Sequence, residues 1–201
     1  MVEASLKRRR VTLLLLLLTF LAPLLGSWLL YINLDKVHLG TTNHGEFVQT
    51  PRALLFDGLS EPLTGGKLNQ DYFNSRWTLV YLGGPECGAD CQQGLYATRQ
   101  VRYALGDKMD SVQRLYLVDG APAEPQPLHV SHPDLTVADV SSAPGAAVLK
   151  EFDAVTPDSA HNGGYIYVVD PHGYLVMRYS VHDDPENLLK DLKHLFGGGE
   201  M

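Results

Sequence analysis

The chain has 201 residues, 45% hydrophobic and 19% charged, with a formal net charge of −7 and two cysteines. The acidic balance argues against nucleic acid as a partner. With no second cysteine pair, the four protein ligands of a structural zinc site are not available from thiolates.

Residues 7–10 are Lys-Arg-Arg-Arg, and the 22 residues that follow, 11–32, are leucine-rich and carry no charge. At 1.5 Å per residue a helix of that length crosses the roughly 30 Å hydrocarbon core of a bilayer. A cleavable signal peptide has a shorter apolar region and a small-x-small cleavage site, which Ala22-Pro23 and Gly26-Ser27 do not supply. The segment therefore reads as a retained anchor in the lipid bilayer. The basic cluster before it, against Lys36 alone just after it, predicts a cytoplasmic N-terminus. Ten residues ahead of the span are too few for a mitochondrial presequence, so a bacterial inner membrane is expected, with the rest of the chain in the periplasm. That remainder, residues 33–201, holds 12 Lys and Arg against 22 Asp and Glu, a net of −10.

Residues 33–51 are polar and lack apolar periodicity, and read as a stalk able to reach about 60 Å if extended. From residue 52 to 201 the length suits one compact domain. Within it, residues 53–56 suggest a short strand closed by a turn at Asp57-Gly58, and the apolar run 77–82 suggests a buried central strand. Residues 91–105 carry apolar side chains three and four apart and stop at Gly106, as a helix does, and 113–118 is the next strand. The stretch 121–133, with four prolines, reads as a loop, followed by a short strand at 135–137 and a helix at 144–152. Strands at 165–169 and 174–179 flank the turn Asp170-Pro171-His172-Gly173, and a last helix opens at Asp184-Pro185-Glu186 and ends at the glycines 197–199. The order β-α-β-α-β-β-α predicts an α/β, thioredoxin-like fold, a central mixed sheet flanked by helices, on a single N-terminal transmembrane helix.

The two cysteines lie in Pro85-Glu86-Cys87-Gly88-Ala89-Asp90-Cys91, between the central strand and the helix that follows. Four residues apart on a helix, the sulfurs share a face and can meet in one bond or on one ion. A purely structural bridge is disfavoured, because closing so small a ring adds only about 2 kcal/mol of stability. The pair is then a redox couple or a two-sulfur metal site. Copper(I) prefers thiolates and is satisfied by two sulfurs and one imidazole, so copper is the metal such a pair favours. A reactive thiol wants nearby cations, whereas Glu86 and Asp90 flank this pair and no Lys or Arg lies between Arg76 and Arg99.

Cys87-x-x-x-Cys91 after a strand, followed by an insertion and a histidine just ahead of Tyr167-Val168-Val169-Asp170-Pro171-His172-Gly173, resembles the Sco/SenC family of membrane-anchored copper proteins that assist cytochrome c oxidase assembly. The likeness covers residues 10 to 196. It implies a thioredoxin-like fold, copper as the bound metal, and a cytochrome c oxidase subunit or another copper-assembly factor as partner. It also implies Cys87, Cys91 and His161 as the metal ligands, since His161 stands six residues before Tyr167. The chain departs from the family in having Gly88 and Gln92 after the cysteines, where proline is usual, and Ala160-His161-Asn162 where Asp-His-Ser is usual.

The other histidines read differently. His38, His44, His182 and His194 are expected on the surface, His172 is expected to be inert in its turn, and His129 and His132 are spaced to share an ion but sit in the proline-rich stretch, where exposure is expected. Tyr81, Tyr165 and Tyr167 are expected in the core. Three functions stay open: a copper-binding assembly factor; a periplasmic thiol-disulfide oxidoreductase in which Cys87 attacks and Cys91 resolves, keeping the cysteines of a partner's copper site reduced; and a non-catalytic scaffold of the same fold.

Overall fold

A computed structural model describes residues 2–32, 43–156 and 163–197, which fall into two compact units, residues 1–42 and 43–201. The first unit is the helix α1 (Val2–Ile32), whose segment Arg9–Ile32 is long and apolar enough to cross a membrane. Its Thr19 hydroxyl donates to the Leu15 carbonyl at 2.8 Å, so the polar group is satisfied within the helix, as an apolar surrounding requires.

The second unit is built on one eight-stranded sheet in the order β1-β8-β7-β4-β5-β6-β2-β3, made of β1 (Glu46–Ala53), β2 (Asp57–Glu61), β3 (Gly66–Asn69), β4 (Trp77–Gly83), β5 (Val112–Val118), β6 (Leu135–Asp139), β7 (Tyr165–Val169) and β8 (Tyr174–Ser180). Strands β4, β5 and β6 are parallel, β7 lies antiparallel to β4, and β7 and β8 form a hairpin. The helices are α2 (Ala89–Ala104), α3 (Pro125–Ser131), α4 (Ala143–Asp153) and α5 (Pro185–Gly197). This is the mixed sheet flanked by helices that the order of apolar segments predicts.

Strand alternation divides the core into two layers. Leu79 and Tyr81 of β4 face a cluster with Leu95 and Val101 of α2 and Leu188 and Leu192 of α5. Val80 and Leu82 face the opposite cluster with Val148 and Phe152 of α4 and Tyr167 of β7. Burial on both faces explains why β4 reads as a continuous apolar run.

Three elements differ from the sequence reading. β1 occupies residues 46–53, mostly in the stretch read as stalk, while Leu54 and Phe56 are buried but leave the ladder. β1 is an edge strand with most side chains exposed, Pro51 within it, and a register break between Phe47 and Arg52, so it lacks the alternation that marks a strand. The hairpin β2–β3 was not anticipated beyond a turn at Asp57-Gly58. The stretch 121–133 contains the helix α3, with Pro125 in its first turn, where the missing N–H costs no hydrogen bond.

The least expected core residue is Arg114, fully buried in β5. Its guanidinium donates to Asp134 Oδ1 at 3.0 Å, to Thr98 Oγ1 at 3.1 Å and to the Leu95 carbonyl at 2.6 Å, which joins β5 to α2 and to the loop before β6. Burial lowers the Arg114 pKa, and Asp134 opposes that effect. Asp134 also pairs with Arg102 at 3.4 Å. Removing the acid leaves a buried cation uncompensated, so Asp134→Ala should cost about 3 kcal/mol in a denaturant titration. Arg114→Met should cost less, because the apolar chain keeps the packing and Asp134 retains Arg102. An equal or larger loss for Arg114→Met would show that the guanidinium contributes net stability.

Candidate functional site

The loop between β4 and α2 carries the cysteines. Cys87 precedes the helix and is half-buried; Cys91 lies in its first turn and is only 6% exposed. They are joined in a disulfide with their Cα atoms 5.1 Å apart. Gln92 donates from Nε2 to the Cys87 carbonyl at 3.2 Å, and its backbone N–H closes on the Gly88 carbonyl at 3.0 Å, so the loop is held from inside the helix it starts.

Beneath the pair stand two tyrosines from neighbouring strands, Tyr81 of β4 and Tyr116 of β5, with ring centroids 5.9 Å apart. The Tyr116 hydroxyl donates to the Gly84 carbonyl at the head of the cysteine loop. Burial pushes its pKa up to about 12, so it stays protonated and able to donate. Tyr81 is also raised by burial, while its hydroxyl oxygen accepts the backbone N–H of Gly164. One side chain thus underlies the cysteine loop and holds the start of the segment leading into β7. Two glycines make room for it. A Cβ at Gly94 of α2 would stand 2.8 Å from the Tyr81 ring, and one at Gly163, whose φ is +70°, would stand 2.6 Å from its hydroxyl.

Two hollows meet at the pair. The smaller, about 320 Å³, is lined by Cys91, Tyr81, Gly163, Glu86 and Asp90, with no Lys or Arg among the described residues of its wall. The larger, about 660 Å³, runs from Cys87 along α2 and α3. Glu86 and Asp90 are exposed, and Asp90 lies 3.7 Å from His182.

The candidate ligands fare unequally. Cys87 and Cys91 come together; His161 lies outside the described residues, and so does His38. Among the described residues no group of three His, Cys, Asp or Glu side chains is placed to hold a metal ion. His129 is exposed, as expected. His132 departs from the expected exposure: it is half-buried, and its Nδ1 faces the Arg114 guanidinium at 3.4 Å, with burial and that cation lowering its pKa. It is committed to the Arg114 network rather than to an ion shared with His129. His44 is a surface residue, but its Nδ1 lies 3.0 Å from Asp191, whose other oxygen accepts the backbone N–H groups of His44 and Gly45 and the Tyr179 hydroxyl. Tyr167 is in the core, its hydroxyl 2.7 Å from Thr156 Oγ1, whereas Tyr165 is half-buried under Arg178. Sequence reasoning missed Tyr116 and Arg114. The only signal for the latter was a cation inside a strand that is apolar apart from it and Gln113.

The unequal burial of the two sulfurs has a measurable consequence. After reduction, iodoacetamide should alkylate Cys87 several-fold faster than Cys91, as read by peptide mass spectrometry over time. Equal rates would mean that the first turn of α2 opens once the disulfide is broken.

No curated protein matches the sequence. Among solved structures, apo Sco1 from Thermus thermophilus superposes with a TM-score of 0.59 at 20% identity, covering 78% of this chain and 99% of that one. Copper-bound ScoI from Bradyrhizobium japonicum gives 0.54 at 22% identity, with 72% and 97% covered. The thioredoxin domain of a thiol-disulfide oxidoreductase from Bacteroides vulgatus gives 0.52 at 14% identity, with 74% and 98% covered. These likenesses establish the fold, and they do so equally for a copper protein and for an oxidoreductase. The family model described as "transmembrane-like, thioredoxin-like, C-terminal domain" matches residues 77–197, from the first residue of β4 to the end of α5, and the chain belongs to that family.

Proposed function

We propose that the protein is a membrane-anchored copper-binding assembly factor for cytochrome c oxidase, of the Sco/SenC kind, that takes up copper(I) on Cys87, Cys91 and His161. The observation that carries this reading is the hollow beside the pair: Cys91 and Gly163 line it together with the acids Glu86 and Asp90, and among the described residues no Lys or Arg lines it. Two thiolates and one imidazole suit copper(I). Gly163 is two positions past His161, a separation that the chain spans in at most about 7 Å, and Tyr81 ties the adjoining Gly164 to the floor of the site. The bound copper is cargo to be passed on. To receive it the disulfide must first accept two electrons and two protons from a thiol donor, and the two thiols release those protons as they bind the ion.

A second reading shares the first half of that chemistry. The disulfide has a half-buried member, Cys87, and a buried one, Cys91, which is the asymmetry a thiol-disulfide oxidoreductase uses to attack with one sulfur and resolve with the other. The imidazole separates the two, being needed for metal and not for thiol exchange. The full chain in detergent, reduced and anaerobic, should bind one copper(I) per molecule, and His161→Ala should weaken that binding at least tenfold while the thiol titration is unchanged. Loss of binding in His129→Ala with retention in His161→Ala would place the third ligand on the proline-rich segment. Full complementation of an oxidase defect by His161→Ala, with failure of both single cysteine variants, would establish the reductase. Complementation by the double cysteine variant would leave the scaffold.

The basic cluster at residues 7–10 ahead of α1 supports a cytoplasmic N-terminus and a periplasmic domain. Alkaline phosphatase fused after Met201 should be active in a bacterial host. Activity of a cytoplasmic reporter instead would reverse the orientation.

A further inference from the structure

Of the proposed copper ligands, only Cys87 is among the described residues that line the larger hollow. That hollow is a groove between α2 and α3 whose ends are fixed by two hydrogen bonds: Ala123 N–H to the Pro85 carbonyl at 3.0 Å beside the cysteine loop, and Arg99 to the carbonyl of Ser131, the last residue of α3, at 2.9 Å. The two helices therefore run side by side in the same direction away from Cys87. Leu95 and Tyr116 form a floor that is apolar and buried, Leu128 lines one wall, and Tyr96, 60% exposed, stands at the rim.

The charges are segregated along its length. Glu86 and Glu124 line the cysteine end; Arg99 lines the far end. Among the described residues, Arg99 contacts the Ser131 carbonyl and stands over the Tyr103 ring at 5.7 Å, and neither partner neutralises it. His132 beside it has a lowered pKa, and the cation behind it, Arg114, is already paired with Asp134. The available positive charge at that end is thus Arg99. Ten residues of α2 separate Ala89 from Arg99, a rise of about 15 Å, which four to five residues of extended chain would match.

We propose that this groove docks an extended segment of a partner protein that carries a basic side chain beside its cysteine, apolar side chains after it, and a carboxylate about four residues on. Docked this way, the segment sets its cysteine over Cys87 and its carboxylate on Arg99. Complementary charges at the two ends fix the register, and apolar burial between them holds the segment. The proposal rests on the functional reading only in taking Cys87 as the sulfur that meets the partner; the docking itself needs neither copper nor thiol exchange.

The test uses the full chain in detergent, with the disulfide intact and no copper. A fluorescein-labelled peptide Gly-Lys-(S-methylcysteine)-Leu-Val-Thr-Glu-Gly is titrated by anisotropy against the counterpart in which Lys and Glu are exchanged. The first peptide should bind at least fivefold more tightly. Arg99→Glu combined with Glu124→Lys should invert the preference, and Glu124→Lys alone, at the exposed position ahead of α3, should reduce it. Absence of binding, equal affinity for the two peptides, or an unchanged preference in both variants overturns the proposal. So does a signal that falls as protein concentration rises, since a second copy of the chain would then fill the groove. A chain that binds no copper but keeps the peptide preference would refute the copper reading and leave this one standing.

Discussion

The pairing of β4 with β5 on one side and β7 on the other is the constraint on which the site depends. β4 is in parallel register with β5 from Trp77 to Gly83 and antiparallel to β7 from Thr78 to Tyr81. That register sets which side chains of β4 face α2, and so places Tyr81 under the cysteine loop. A slip of one residue would send Tyr81 to the α4 face and put Val80 or Leu82 in its place. The support of the cysteine loop, the Tyr81 wall of the smaller hollow and the anchor for Gly164 would be lost together. Burial on both faces makes such a slip costly, because every apolar side chain of the strand has a partner on its own side.

Legibility in the sequence followed burial. β4, β5, β7 and β8 carry the core of the sheet and show as apolar runs, and α2 shows its spacing and its glycine stop; all were placed to within a residue or two. β1 and the β2–β3 hairpin lie at the two edges, where one face is wet and the apolar signal is half absent. α3 was hidden because proline is evidence against a helix everywhere except its first turn, and Pro125 and Pro127 both fall there. The cysteine pair was legible because the chain has no other cysteines. The Arg114 network was not, since nothing in the sequence distinguishes a cation that finds Asp134, Thr98 and a helix carbonyl from one that breaks a strand.

Arg114 also bears on the shape of the larger hollow. A buried guanidinium that binds the Leu95 carbonyl and Thr98 of α2 while pairing with Asp134 beyond α3 fixes the distance between the two walls. His132 completes that arrangement as an acceptor, which requires the neutral ring that its lowered pKa favours at neutral pH. The groove is therefore lined by a polar network already satisfied on its inner side. Among the described residues, Arg99 at the far end and Glu86 and Glu124 at the near end remain to select what enters.

The two hollows divide the chemistry of one pair of sulfurs. Cys91 opens to the smaller one, where the carboxylates and Gly163 lie, while Cys87 opens to the larger, where the apolar floor and Arg99 lie. A cation is favoured on the first side by the negative field of Glu86 and Asp90, and a protein segment on the second by apolar burial. On the proposed copper reading, the disulfide withdraws both thiolate ligands, whereas the apolar floor of the groove, Leu95 and Tyr116, involves neither sulfur. A partner could then be held in either redox state, whereas copper could be held in only one. On that reading docking can precede loading or follow it, and electron supply to the cysteine pair, rather than encounter with the partner, decides whether the site can carry metal.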